Sequence, residues 1–235
     1  MAFIEKHAPE TVVAVADRNE DALEPVRQKR LTAIAGERYL DAINRYDVVI
    51  KTPGISLKDV TIADGVEVTS QTDLFLSQYH RQTIGVTGTK GKSTTTCMLC
   101  LALQKASGHD AILVGNLGFP CLDHYAEITD NTVIVFEMSC HQLAHLQYSP
   151  HIAVFLNLYE DHLDYYGDMG NYFNAKKNIT LHQGAGDFFL CGENVPEIDT
   201  RARKIIVPFH PEHSFDMKLM GEHNQFNANV VHIIC

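Results

Sequence analysis

The sequence predicts an α/β protein with two domains, the second built on a mostly parallel sheet around a phosphate-binding loop. Three observations predict it. Short apolar runs alternate with helical stretches along almost the whole chain. The runs "AILVG", "TVIVFEMS" and "IAVFLNL" carry the continuous apolar stretches AILV, VIVF and IAVFL, as in strands buried on both faces. The stretch "TIGVTGTKGKST" sets a glycine-rich turn between such a strand and a helix.

Each element can be justified in order. "AFIEKHA" reads as the tail of a helix whose strand and glycine-rich turn would precede residue 1. "TVVAVAD" is a strand ending at Asp17, "LTAIAG" and "DVVIKTPGI" are further strands, and "RYLDAINRY" is a helix between them. "GVEVTS" is another strand and "DLFLSQYH" a helix leading out, which closes a first domain at residues 1–80. The second domain, 81–235, starts with the strand "TIGVT", its loop, and a helix from about Lys92 to Ala106. The three buried strands follow, with "MGNYFNAKKNITLHQ" as a helix and "GDFFLCG" and "KIIVPF" as later strands. "GEHNQFNANVVHIIC" begins a helix without a C-terminal cap, so we expect sequence to be missing after residue 235.

Composition narrows the function. The chain has 235 residues, 45% of them hydrophobic, and a net charge of −10, which argues against a nucleic-acid partner. No apolar run approaches the ~20 residues of a membrane helix. The N-terminus carries Glu5, Lys6 and Glu10 instead of an apolar signal core. We therefore expect a cytoplasmic monomer with no membrane partner. Six cysteines are scattered, and Cys97 and Cys100 form a C-x-x-C on the helix after the loop. With no second Cys or His pair at ligand spacing, they read as two small core residues.

The loop carries the chemistry. A strand–turn–helix junction offers backbone N–H groups and the positive end of a helix dipole to an anion. Lys92 can reach terminal phosphates, and the Ser93 hydroxyl can ligate Mg²⁺. The usual spacing is G-x-x-x-x-G-K-[ST]. Here the position five before Gly91 is Val86, and the glycines sit at Gly85, Gly88 and Gly91. Lys90 adds local positive charge, whereas Thr94 to Thr96 read as helix surface or packing. ATP or GTP binding follows, and the absence of an N-K-x-D segment disfavours a regulatory GTPase.

Further polar groups stand at strand ends, where open α/β sheets gather ligands. Glu137 follows "TVIVF" and suits a nucleotide-bound Mg²⁺. Glu160, Asp161, His162 and Asp164 cluster after "IAVFLNL", as a metal or substrate contact. Asn116 ends a strand and suits a sugar or a phosphate, with a turn-forming Asn as the alternative. Asp17 could grip a ribose, although a strand-end Asp more often caps a turn. Lys176 and Lys177 are adjacent, and the residues alone favour a solvated surface pair.

Taken together these segments resemble the Mur ligases, ATP-dependent amide ligases of peptidoglycan synthesis. "GTKGKS" matches that family's G-T-[NK]-G-K-[ST] loop, so the offset glycine is a family trait. "FEMSCHQL" resembles its E-[LMV]-S-S-x-Q/A-L segment, with Cys140 in place of a second serine. "LNLYEDHLDYYGDMGNYFNAKKNI" is similar to the segment with a metal-binding histidine and a carbamylated lysine, and "GEHNQFNANVV" to G-x-H-N-x-x-N. The resemblance implies a Rossmann-like first domain, incomplete here, a phosphate-loop central domain, and an absent third domain. "DVVIKTPGI" points within the family to the branch that adds D-glutamate to UDP-N-acetylmuramoyl-L-alanine.

By resemblance, Gly88, Thr89, Lys90, Gly91, Lys92, Ser93 and Thr94 would hold the ATP phosphates. Asn224 and Asn227 would meet the adenine or ribose. Ser93 and Glu137 would hold one Mg²⁺, and His162 with a carbamylated Lys176 a second. Asn116, Ser139 and Gln142 would contact the muramoyl substrate, and Asp17, Thr52, Pro53 and Gly54 the uridine diphosphate. Lys92, Glu137, His162 and Lys176 would be the catalytic set. We expect the 235 residues alone to bind nucleotide with little or no ligase activity.

Overall fold

The computed structural model describes residues 2–29, 31–106, 108–117 and 120–235. The chain divides into two compact units, Met1–Thr69 and Ser70–Cys235.

The first unit holds helix α1 (Ala2–His7), strand β1 (Ala14–Asp17), helix α2 (Glu24–Gln28), strand β2 (Thr32–Ala35), strand β3 (Val48–Lys51) and strand β4, which runs over Glu67–Ser70 to the boundary. β1 and β2 form a parallel pair, with Asp17 opposite Ala35, and β3 and β4 form a second two-stranded sheet. "RYLDAINRY", expected as an α-helix, is a 3₁₀ helix over Tyr39–Arg45 with no side-chain cap at its start. A tighter winding of this kind, about two turns at 3.0 residues each, serves as a short connector between the strands. The strand from "DVVI" stops at Lys51, because Ile55 N–H turns back to the Thr52 carbonyl at 3.2 Å.

The second unit opens with α3 (Gln71–Tyr79), capped by the Ser70 hydroxyl on Asp73 N–H. Then come β5 (Thr83–Thr87), α4 (Lys92–Ala106), β6 (Asp110–Gly115), β7 (Thr132–Glu137), α5 (Cys140–Leu143), β8 (Ile152–Phe155), α6 (Leu163–Tyr166), α7 (Met169–Leu181), β9 (Phe188–Gly192), β10 (Arg203–Val207) and α8 (Glu222–Ile234). The six strands lie in the order β10-β9-β8-β5-β7-β6, and all five neighbouring pairs are parallel.

Why these runs make a sandwich follows from the two-residue repeat of a strand. Phe136, Phe155 and Phe189 point to one face and pack with Phe75, Leu76, Leu143 and Ile179 from α3, α5 and α7. Val135, Val154 and Leu190 point to the other and pack with Leu99, Leu103, Phe226 and Val230 from α4 and α8. α3 belongs to this unit because Phe75 sits edge-on to Phe136, ring centres 5.6 Å apart. The chain leaves β5 for the β6 edge, returns to β7, and then crosses to β8. β5 therefore lies at a reversal of strand order, where parallel sheets open a crevice at their carboxyl ends.

Candidate nucleotide and metal site

Three loops meet at that reversal: those after β5, β7 and β8. The β5 loop is strapped down by the exit of β8. Thr89 N–H donates to the Asn157 carbonyl at 3.0 Å. The Asn157 side chain accepts from Lys90 N–H at 2.9 Å and donates to the Lys90 carbonyl at 3.0 Å. The Thr89 hydroxyl bridges Tyr159 N–H and its carbonyl at 3.0 and 3.2 Å. Two glycines let the backbone turn, Gly88 at φ 154° and Gly91 at φ 86°. A side chain on Gly91 would meet Asn227 Oδ1 at 2.8 Å, so α8 is packed against the loop.

The first bond of α4 runs from Thr95 N–H to the Gly91 carbonyl at 2.9 Å. The N–H groups from Gly91 to Thr94 therefore precede the helical ladder, and they form a ready anion site. Thr89 and Lys90 spend their own N–H groups on Asn157, so their part is to fix the loop. Ser93 is exposed at the helix start, and Lys90 is exposed as well.

Lys92 is folded onto its own loop, with Nζ donating to the Gly88 and Thr89 carbonyls at 2.9 and 3.1 Å. Burial lowers its pKa, and Glu137, Cys140 and Asp161 push the other way. Lys176 reaches the same Gly88 carbonyl at 2.9 Å from α7. It is 1% exposed, and burial brings its pKa down to about 8. The surface pair expected at Lys176 and Lys177 is thereby corrected: helical phase puts Tyr172, Lys176 and Thr180 on the buried face, and Lys177 is half-buried.

Glu137 ends β7 at 1% exposure, and Val86 of β5 is its register partner. Its Oε1 accepts from Asn116 Nδ2 at 3.1 Å, while Oε2 has no hydrogen-bond partner among the described residues. Gly115, at φ 112°, allows this approach, since a side chain there would collide with the Glu137 carbonyl oxygen. A buried carboxylate oxygen without a donor is costly unless something cationic meets it. A hard divalent cation suits such an oxygen and the Ser93 hydroxyl. Among the described residues no three His, Cys, Asp or Glu side chains form a cage. A Mg²⁺ here would thus be held by one or two protein groups and by substrate phosphates, its usual mode.

His162 lies after β8 in the left-handed region at φ 53°, the one non-glycine residue with positive φ among those described. Its N–H is held by Asp161 Oδ1 at 3.0 Å. Its ring centre stands 6.0 Å from that of Tyr172, and the Lys176 ammonium lies 4.9 Å from the other end of this chain of contacts, the same Tyr172 ring. The Tyr172 hydroxyl lies 3.4 Å from the Thr89 hydroxyl, and burial raises its pKa to about 12. Tyr172 and Asn157 are two residues of the site that the sequence alone did not single out. The i,i+4 spacing of Tyr172 and Lys176 was the available signal for the first; nothing local marked the second.

The remaining candidates are placed as follows. Asn224 donates to the Met220 carbonyl at 2.8 Å and Asn227 to Asn224 Oδ1 at 3.4 Å, both near the start of α8. Ser139 and Gln142 bond each other's backbone in a capping box that starts α5. In the first unit, the Asp17 carboxylate accepts from Asn19 N–H at 2.8 Å, an Asx turn. Thr52, Pro53 and Gly54 form the turn after β3. Cys100 is buried and Cys97 half-buried, and burial raises both thiols. No helix among the described residues is long and apolar enough to cross a membrane.

Comparison with known proteins is consistent with this geometry. The chain is 32% identical over 210 residues to UDP-N-acetylmuramoylalanine–D-glutamate ligase of Ligilactobacillus salivarius, covering 84% of this chain and 46% of that protein. It is 36% identical over 163 residues to the enzyme of the same name from Clostridium acetobutylicum, covering 68% and 35%. The chain thus spans less than half the length of these curated relatives. Among solved structures, the UDP-N-acetylmuramate:L-alanyl-gamma-D-glutamyl-meso-diaminopimelate ligase of Neisseria meningitides shares the fold, with a TM-score of 0.53 at 17% identity over 93% of this chain and 82% of that one. Residues 86–210, more than half of the chain and the stretch that holds the loop, Glu137, His162 and Lys176, match the Mur ligase middle domain, and the chain belongs to that family.

Proposed function

We propose that the protein is an ATP-dependent amide ligase of peptidoglycan-precursor synthesis. It joins D-glutamate to UDP-N-acetylmuramoyl-L-alanine through an acyl phosphate. The observation that carries the reading is the buried Glu137 Oε2 without a donor, beside a loop with open N–H groups and two lysines. The names of the relatives support the choice of substrates.

In this reading ATP binds with its phosphates on the N–H groups of Gly91 to Thr94. Lys92 leaves the Gly88 and Thr89 carbonyls and follows the terminal phosphate. Mg²⁺, held by Glu137 and Ser93, would offset the charge that gathers as two anions are brought together. His162 and Lys176 would hold a second Mg²⁺, but an ammonium repels a metal, so Lys176 must first become a carbamate. Its lowered pKa supports that step, since only the neutral amine reacts with CO₂. The muramoyl-alanine carboxylate attacks the γ-phosphate, and ADP leaves. The glutamate amine then attacks the acyl phosphate, forming the amide and releasing phosphate. Asn227, against Gly91, fixes the loop from the side where the nucleoside would lie.

The test is phosphate release by the full-length gene product with ATP, Mg²⁺, UDP-N-acetylmuramoyl-L-alanine and D-glutamate, omitting one component at a time. Release that needs all four supports the reading. Release that needs a different amine or acceptor keeps the chemistry and overturns the substrates. Release coupled to no muramoyl substrate overturns the ligase.

A further inference from the structure

His162 is exposed and stands in a backbone conformation that a side chain seldom adopts. Such a conformation persists only where its surroundings over-determine it. Part of that fixing is local. Asp161 Oδ1 accepts from the His162 N–H at 3.0 Å. The His162 carbonyl accepts from Tyr165 N–H at 3.1 Å and from Tyr166 N–H at 3.0 Å, so the turn of α6 hangs from it. These bonds settle the main chain. They do not settle where the imidazole points, because its side-chain bonds can still rotate.

Two rings from other helices stand against that imidazole. One is Tyr172 of α7. The other is His141 of α5, with ring centres 5.6 Å apart and planes at 64°, an edge-to-face contact. His141 is itself anchored. Its Nδ1 and the Tyr166 hydroxyl are hydrogen-bonded at 3.2 Å, and its ring stacks on Tyr166 at 5.4 Å with planes 16° apart. Tyr165 meets it edge-on at 4.4 Å. Both tyrosines belong to the turn that hangs from the His162 carbonyl, so His141 is keyed into the same turn whose first residue it touches. Its own helix is held by the buried Cys140 and Leu143 on either side of the ring's position and by the Ser139–Gln142 capping box. That box begins just after Glu137.

We propose that His141 is a positioning residue for His162: its ring walls in the imidazole and sets how His162 is presented to a divalent cation. The proposal rests on the reading that His162 meets a metal. The donor set fits one, since Asp161 Oδ2 lies 3.7 Å from His162 Nε2 and places a carboxylate oxygen beside an imidazole nitrogen. His141 itself touches neither metal nor substrate. A ring is what the position needs, and the bond to Tyr166 holds that ring in place.

The test is titration of the chain with Mn²⁺, the unbound metal being read by electron spin resonance. The proteins are the wild type, His141→Ala, His141→Phe, His162→Ala and the double variant His141→Ala with His162→Ala. The expected result is Mn²⁺ binding about tenfold weaker in His141→Ala. His141→Phe, which keeps a ring, should bind close to the wild type. In the His162→Ala background the change at His141 should add no further loss, because its effect passes through His162. A loss of equal size in that background, or a phenylalanine no better than alanine, would mean a merely structural histidine and overturn the proposal. If His162→Ala binds Mn²⁺ as the wild type does, the metal reading of His162 fails, and the proposal with it. If His162→Ala weakens Mn²⁺ and His141→Ala does not, only the proposal fails.

Discussion

Lys176 offers the most demanding check on the buried site. It is 1% exposed, and its pKa falls from 10.5 to about 8, chiefly through burial. That gap of about 2.5, at about 1.36 kcal/mol each, corresponds to roughly 3 kcal/mol. The sign follows from proton counts. Between pH 8 and 10.5 the unfolded chain keeps the lysine proton and the folded chain has lost it, so stability rises with pH across this window. Below about pH 8 both states are charged and the effect is flat. Lys176→Met cannot titrate. Urea unfolding of both proteins in CO₂-free buffer from pH 7 to 10 should therefore show wild type gaining on the variant by most of those 3 kcal/mol. Parallel stability curves over that range would refute the claim that a cation is confined there.

Other expectations follow from the same geometry. Gly91→Ala forces a side chain into Asn227 at φ 86°, which should cost about 1–3 kcal/mol by urea unfolding and abolish measurable ATP binding by calorimetry. Asn157→Ala removes two hydrogen bonds to Lys90, and it should lower stability by about 1–2 kcal/mol and weaken ATP about tenfold. His162→Gly should relieve left-handed strain, with Tm unchanged or raised by the equivalent of about 1 kcal/mol, while phosphate release falls at least tenfold. A loss of stability with turnover retained would contradict the role given to His162.

Much of the fold was legible because its signals are local. Unbroken apolar runs such as "TVIVF" say that a strand is covered on both faces, and β7 supplies Phe136 to one core and Val135 to the other. The glycine loop was legible because a helix start has few ways to hold an anion. Side chains engaged with distant partners were not. Asn157 clasps Lys90 from 67 positions away, and no spacing rule connects them. Lys176 read as surface because a pair of lysines usually is, yet the phase of α7 buries one and not the other. Ser139 and Gln142 did carry a local signal, the S-x-x-Q of a capping box, which the resemblance overshadowed. Asp17 follows the ordinary behaviour of a strand-end Asp, a turn with Asn19.

The central claim is that the loop at Gly88–Thr94 and Glu137 form one Mg²⁺–nucleotide site, and calorimetric titration of ATP with and without Mg²⁺ tests it most directly. The account predicts that Mg²⁺ tightens ATP binding to the wild-type chain at least tenfold, and that Glu137→Gln, which leaves Oε2 unable to meet a cation, loses most of that gain. Equal Mg²⁺ dependence in the two proteins, or none in the wild type, would contradict it.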